Sequence, residues 1–242
     1  MCILAVKKSR NTQYAFFIAF NRDEQYLKKW KDIGAHWPAY PESKGYLDIT
    51  TGGSWMAFNQ QVLAIVLNND MLESEEPKAV GTRGFIALEA TRKSNNAKTA
   101  LDAVTKLDIS EIRPFNLVLV DCKSVVYASN VNQGKMVKKI YAMSLDQDLI
   151  LVNRSVPNDL TQRRIAVAMK EFENLQEPNP KVDDWASWTK FMTEESFAEM
   201  PESERTLWLN SKEWGTLNAD IIAVSTKSIP AFLLHHVKSR LP

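Results

Sequence analysis

A cysteine stands directly behind the first methionine, and a dense polar string, Asn21-Arg22-Asp23-Glu24, follows about twenty residues later. Between them lie two apolar runs, Cys2-Ile3-Leu4-Ala5-Val6 and Tyr14-Ala15-Phe16-Phe17-Ile18-Ala19-Phe20, separated by the polar stretch Lys7 to Gln13. Two β-type runs around a short turn predict a hairpin. In a hairpin the start of the first strand lies beside the end of the second, so Cys2 is expected next to the Asn-Arg-Asp-Glu cluster. That adjacency is chemical. A thiol is a nucleophile as its thiolate, which a nearby cation such as Arg22 favours. If Met1 is removed, Cys2 also carries an α-amine of pKa near 8, a base that can take the thiol proton and return it to a leaving group. The competing reading is an ordinary small core residue at a strand end.

The elements that must position these residues follow in order. After the cluster comes an expected loop with Pro38 and Pro41 and the aromatics Trp37, Tyr40 and Tyr46, either a pocket wall or a local packing cluster. A second hairpin is predicted from Ser54–Phe58 and Val62–Leu67, the latter apolar on both faces and so a central strand. It ends in Asn68-Asn69-Asp70, an amide cluster suited either to an oxyanion or to turn chemistry. An acidic loop is expected over residues 71–82, then two helices, 85–90 and 97–104, separated at Ser94-Asn95-Asn96. Strands are predicted at 115–120, 125–129 and 136–141, with Cys122 at a turn and non-catalytic. Ile150–Asn153 is a further short strand. An amphipathic helix is expected from Asp159 to Leu175, its Arg163-Arg164 pair on a solvated face, and another from Asp183 to Phe197. A polar stretch near 199–213 leads to two last strands, 219–224 and 229–234. His235 and His236 alternate faces there and are not expected to enter one pocket.

Composition narrows the classes. The 242 residues suit one domain spanning 1–242, and 45% apolar content is ordinary for a globular chain. A net charge of +1 argues against nucleic acid and against a polybasic membrane surface. Lys7, Lys8 and Arg10 interrupt the first apolar residues, so neither a secretory signal nor a transmembrane segment is expected. Two cysteines point to a reducing, cytoplasmic setting. The three histidines, His36, His235 and His236, fit no zinc spacing with them, so no metal is expected.

The opening Met1-Cys2-Ile3-Leu4 and the Asn21-Arg22-Asp23-Glu24 string resemble the signature of the NRDE family, also called the transport and Golgi organisation protein 2 family. Gly52-Gly53-Ser54-Trp55 with Phe58-Asn59, then Leu67-Asn68-Asn69, Thr82-Arg83-Gly84, Asn116-Leu117 and Trp214-Gly215-Thr216 continue it in family order. The resemblance implies an α+β fold, a four-layer αββα sandwich of two antiparallel sheets as in N-terminal-nucleophile hydrolases. It implies an amidohydrolase acting on a small-molecule C–N amide other than a long-chain peptide bond, needing no cofactor. Cys2 is then the nucleophile, Arg22 and Asp23 orient its amine and thiol, and Asn68 and Asn153 stabilise the oxyanion. The alternative it implies is a haem-trafficking protein on the same fold, with Cys2 or His36 as axial ligand. One step departs from the family: its Gly-Thr-Arg is Gly215-Thr216-Leu217 here.

Overall fold

The computed structural model describes residues 2–70, 82–133, 135–197 and 207–239. The expected acidic loop, apart from Thr82, and residues 199–206 of the polar stretch lie outside them. The chain divides into two compact units. The first comprises Met1–Lys28, Gln147–Lys227 and Phe232–Pro242; the second comprises Lys29–Asp146 and Ser228–Ala231.

The first unit is built on a seven-stranded sheet. Its strands are β1 (Ile3–Lys8), β2 (Tyr14–Gln25), β10 (Leu149–Val152), β11 (Glu195–Phe197), β12 (Trp208–Asn210), β13 (Trp214–Ser225) and β14 (Phe232–Ser239). The order is β10-β1-β2-β13-β12-β11, with β14 also paired to β13. All pairs are antiparallel except β11 with β12. The first hairpin forms as the apolar runs predict, from Ile3↔Asn21 to Lys8↔Phe16. It differs in one respect. β2 does not stop before the polar cluster but runs through it to Gln25, because β13 pairs with it over that whole length, from Trp214↔Gln25 to Ser225↔Tyr14. A strand paired on both sides tolerates polar residues that an isolated run would shed into a turn.

Helices α3 (Arg163–Asn174) and α4 (Ala186–Thr193) cover one face of this sheet. Their Phe172 and Trp188 meet Phe17, Ala19, Ile221 and Ala223 in a buried core. Helix α3 begins four residues later than Asp159 predicts, since the Asp159 carboxylate is engaged by Ser155 and Thr161. Its far end is held by β1: Lys7 Nζ, buried, donates to the Phe172 carbonyl at 2.6 Å and to the Glu173 and Leu175 carbonyls at 3.4 Å. A cation at a helix C-terminus satisfies the carbonyls that the helix itself leaves open.

The second unit is a seven-stranded antiparallel meander in chain order: β3 (Trp30–Gly34), β4 (Lys44–Asp48), β5 (Met56–Phe58), β6 (Leu63–Asn68), β7 (Phe115–Val120), β8 (Val125–Asn132) and β9 (Lys135–Leu145). The first two strands replace much of the expected proline loop. Their charged residues hide the β pattern, and pairing of β4 with β5 and of β3 with β4 overrides it. Of the loop aromatics, Tyr46 packs in a local cluster, stacked on Trp55 at 5.1 Å and edge-on to Trp30 at 5.4 Å. Helices α1 (Gly84–Thr91) and α2 (Ala97–Val104) lie on one face, burying Ile86, Leu88, Ala100 and Val104 against β5–β8. Asn96 closes a capping box with Thr99 at the start of α2. Among the described residues no helix is long and apolar enough to cross a membrane.

Candidate active site

The hairpin register places Cys2 where its residue type is chemically useful. One position beyond the last pair, Ile3↔Asn21, it stands level with Arg22 on β2, and Arg22 in turn pairs with Asn218 on β13. The Cys2 Sγ–H donates to the Asp23 main-chain carbonyl at 3.7 Å. Burial pushes the Cys2 thiol above its ordinary pKa and the Asp23 carboxylate adds to this, while Arg22 pulls the other way. At neutral pH the group is therefore a thiol, and its use as a nucleophile requires a base.

Alternation along β2 separates the two charged residues expected to act together. Asn21 and Asp23 face the helices; Arg22 faces the opposite side, the side of Cys2. The Asn21 amide donates to the Met192 and Leu207 carbonyls at 3.1 and 3.0 Å. Asp23 turns its carboxylate to α3, where Arg164 Nη1 meets it at 2.6 Å, both side chains buried. Thr216 on β13 donates to the other carboxylate oxygen at 2.6 Å and accepts from the Leu209 N–H at 2.9 Å. Asp23 thus reaches Cys2 through its main-chain oxygen and its charge, not by a side-chain hydrogen bond. Arg22 is 3% exposed and lies 3.7 Å from Glu24.

Arg164 corrects the expectation that the Arg163-Arg164 pair is a solvated face. It is 8% exposed, and its second guanidinium nitrogen donates to the Leu207 carbonyl at 2.6 Å. The amphipathic spacing of α3 was the available signal: Arg164 precedes Ile165, Ala168 and Phe172 on the buried side of the helix. The departure at Leu217 also acquires a setting. The β2–β13 register slips between Thr216 and Asn218, so Leu217 is the extra residue of a β-bulge, and it is buried.

Asn153 follows β10 directly. Val152 pairs with Leu4, which brings Asn153 level with Ile3, the residue after Cys2. It is buried, and its side-chain oxygen accepts from the Arg154 N–H at 2.7 Å. Asn68 and His36 belong to the second unit. Asn68 ends β6, and its oxygen accepts from Arg83 Nη1 at 2.6 Å, which leaves the NH₂ as the outward donor. His36 Nε2 lies 2.7 Å from the Asp32 carbonyl, and its ring stands edge-on to Trp37 at 5.4 Å. His235 and His236 do diverge: His235 stacks on Trp185 at 4.8 Å, and His236 Nδ1 contacts Asp220 at 2.9 Å. Cys122 sits in the turn between β7 and β8.

Several signature residues are structural. Gly53 and Gly84 meet backbone to backbone, with Ser54 N–H bonded to the Gly84 carbonyl at 3.0 Å; a Cβ on either would fall within 3 Å of the other strand of chain. The Asn59 amide ties the β5–β6 turn to the end of α1 through the Thr91 and Ser94 carbonyls. Asn116 accepts from Tyr127 and Asn69 in a buried network.

The chain is similar to the Caenorhabditis elegans N-acylethanolamine-hydrolyzing acid amidase (NAAA) ortholog, with a TM-score of 0.56, 12% identity, and 92% of each chain covered. The likeness is one of fold, and it defines the class: an α+β protein of the N-terminal-nucleophile hydrolase fold. No curated protein matches the chain. Over residues 1–228 it matches the Transport and Golgi organisation 2 family, and it belongs to that family.

Proposed function

We propose that this protein is a cysteine amidohydrolase in which Cys2, exposed by removal of Met1, attacks the carbonyl carbon of a small-molecule amide. The observation that carries the reading is the placement of Cys2 level with Arg22 and hydrogen-bonded to the Asp23 carbonyl at 3.7 Å. The α-amine of Cys2 takes the Sγ proton, and sulfur bonds to the carbonyl carbon. The C–N bond breaks as the ammonium returns that proton to the leaving nitrogen, leaving a thioester. Water then gives a proton to the same amine and attacks the thioester. The C–S bond breaks, the acid departs, and the sulfur recovers its proton. Because burial keeps Cys2 protonated, the Sγ proton has to be taken by a base, and the α-amine is the one carried by the residue itself. Arg22 stabilises the transient thiolate, Asp23 holds the local backbone, and Asn68 and Asn153 are the oxyanion donors the family resemblance assigns. No cofactor enters these steps. Haem ligation by Cys2 would instead have to stabilise a thiolate that burial opposes.

Intact mass before and after iodoacetamide tests the reading. Loss of Met1 with one adduct at Cys2, abolished in Cys2→Ala while Cys122 remains, is the expected result. Retained Met1 and an inert Cys2, with a Soret band on adding haem, would overturn it in favour of the haem carrier.

A further inference from the structure

Beside the proposed nucleophile lies a second polar group that neither the motif nor the proposed chemistry uses. Asn218 is the next residue in the cross-strand row after Arg22, and Asp220 follows two residues on along β13. Both are 0% exposed. Asn218 Nδ2 donates to Asp220 Oδ2 at 2.9 Å, and the other Asp220 oxygen contacts His236 Nδ1 at 2.9 Å. A carboxylate only accepts, so the NH₂ of Asn218 must face it and the carboxamide oxygen must turn away from Asp220. Arg22, paired with Asn218, and Cys2 beyond it stand in the same cross-strand row. Among the described residues the Asn218 oxygen has no hydrogen-bond partner. A buried acceptor left unsatisfied is destabilising, because it has lost its hydrogen bond to water and gained none in return.

We infer that Asn218 Oδ1 is a substrate-binding acceptor, locked in orientation by Asp220 and His236, and that it takes a hydrogen-bond donor of the ligand. Strand spacing sets the class of ligand. Cys2 and Asn218 stand two strands apart, about 10 Å between Cα atoms. A carbonyl carbon seated at Cys2 is then several ångströms from a donor seated at Asn218. The ligand is therefore an amide bearing a second donor (hydroxyl, ammonium or another amide N–H) a few bonds from its carbonyl. Cys2 itself is only half-buried, so such a ligand enters at the β1 end of the row. This rests on the proposed role of Cys2 as the group that meets the carbonyl.

Two matched unreactive amides test it: N-(3-hydroxypropyl)acetamide and N-butylacetamide, which differ by a hydroxyl in place of a methyl. Binding is followed by NMR titration of Cys2→Ala protein, so the outcome does not depend on nucleophilicity. The hydroxyl amide is expected to bind about three- to tenfold tighter, the worth of one hydrogen bond. Asn218→Ser, which keeps the site small and polar, is expected to abolish that preference while leaving the weaker affinity for the butyl amide. Equal binding of the two amides to the parent, or a preference that survives Asn218→Ser, overturns the assignment. A hydroxyl preference that Asn218→Ser abolishes, in a protein whose Cys2 does not react with iodoacetamide, keeps Asn218 as a binding residue and sinks the hydrolase instead.

Discussion

Cys2 is buried enough that its thiol resists ionisation, and the carboxylate of Asp23 deepens that resistance while Arg22 relieves it. The sign of each effect makes a test. Because the thiol pKa lies above its ordinary value, the rate of Cys2 alkylation by iodoacetamide should still be rising where an ordinary cysteine has reached its plateau. Asp23→Asn removes a negative charge that disfavours the thiolate, so its alkylation profile should shift to lower pH and its rate near pH 8 should increase. An unchanged or upward-shifted profile, measured by mass spectrometry across pH 6–10, would show that the carboxylate does not act on the thiol. At this scale much was legible. Cysteine at position two and Arg-Asp-Glu at a strand end are visible in the bare string. The opposite facing of Arg22 and Asp23 also follows from alternation, but only once β2 is known to continue through them.

Between elements, β2 is joined to α3 by Asp23 and Arg164, and β1 to the end of α3 by Lys7. The first of these clamps is a buried ion pair. Deleting one member strands a charge in the interior, which costs about 3–5 kcal/mol. Arg164→Ala should therefore lower the urea midpoint substantially, whereas exposed Arg163→Ala should leave it nearly unchanged. Equal effects of the two, read by equilibrium unfolding, would contradict the clamp. From sequence alone these neighbours are expected to form one solvated pair. Adjacent helix positions point about 100° apart, so a doublet of arginines need not share an environment. Which of them turns inward depends on the acceptor waiting on β2, and no local pattern in α3 announces Asp23 as that acceptor. The polar strands β3 and β4 are not legible in the sequence for a related reason. Their residues are not β-patterned on their own and are strands because β5 offers an edge to β4, and β4 offers one to β3.

Across the whole molecule, each unit has its own sheet, its own pair of helices and its own buried cluster. Protection from hydrogen exchange should follow those sheets. Amides of β2 and the middle of β13 in the first unit, and of β6 and β7 in the second, should exchange last, because these strands are bonded on both sides and fully buried over most of their length. Edge strands β3, β9 and β10 should exchange earlier, and a reversed order in hydrogen-exchange mass spectrometry would contradict the assigned centres. The sequence by itself determined the placement of the central strands and both N-terminal-unit and meander hairpins, the four helices (though the last, expected to reach Phe197, ends at Thr193 and gives way to strand β11), and the identity of the cysteine worth testing. These are short-range properties, written as periodicity, turn residues and motif spacing. Only the tertiary structure decided that Asp23 is held by Arg164 and Thr216, that Leu217 occupies a bulge, and that Asn218 shares a row with Cys2 and Arg22. Those facts join residues up to about two hundred positions apart, and they arise from strand register, which no single segment carries.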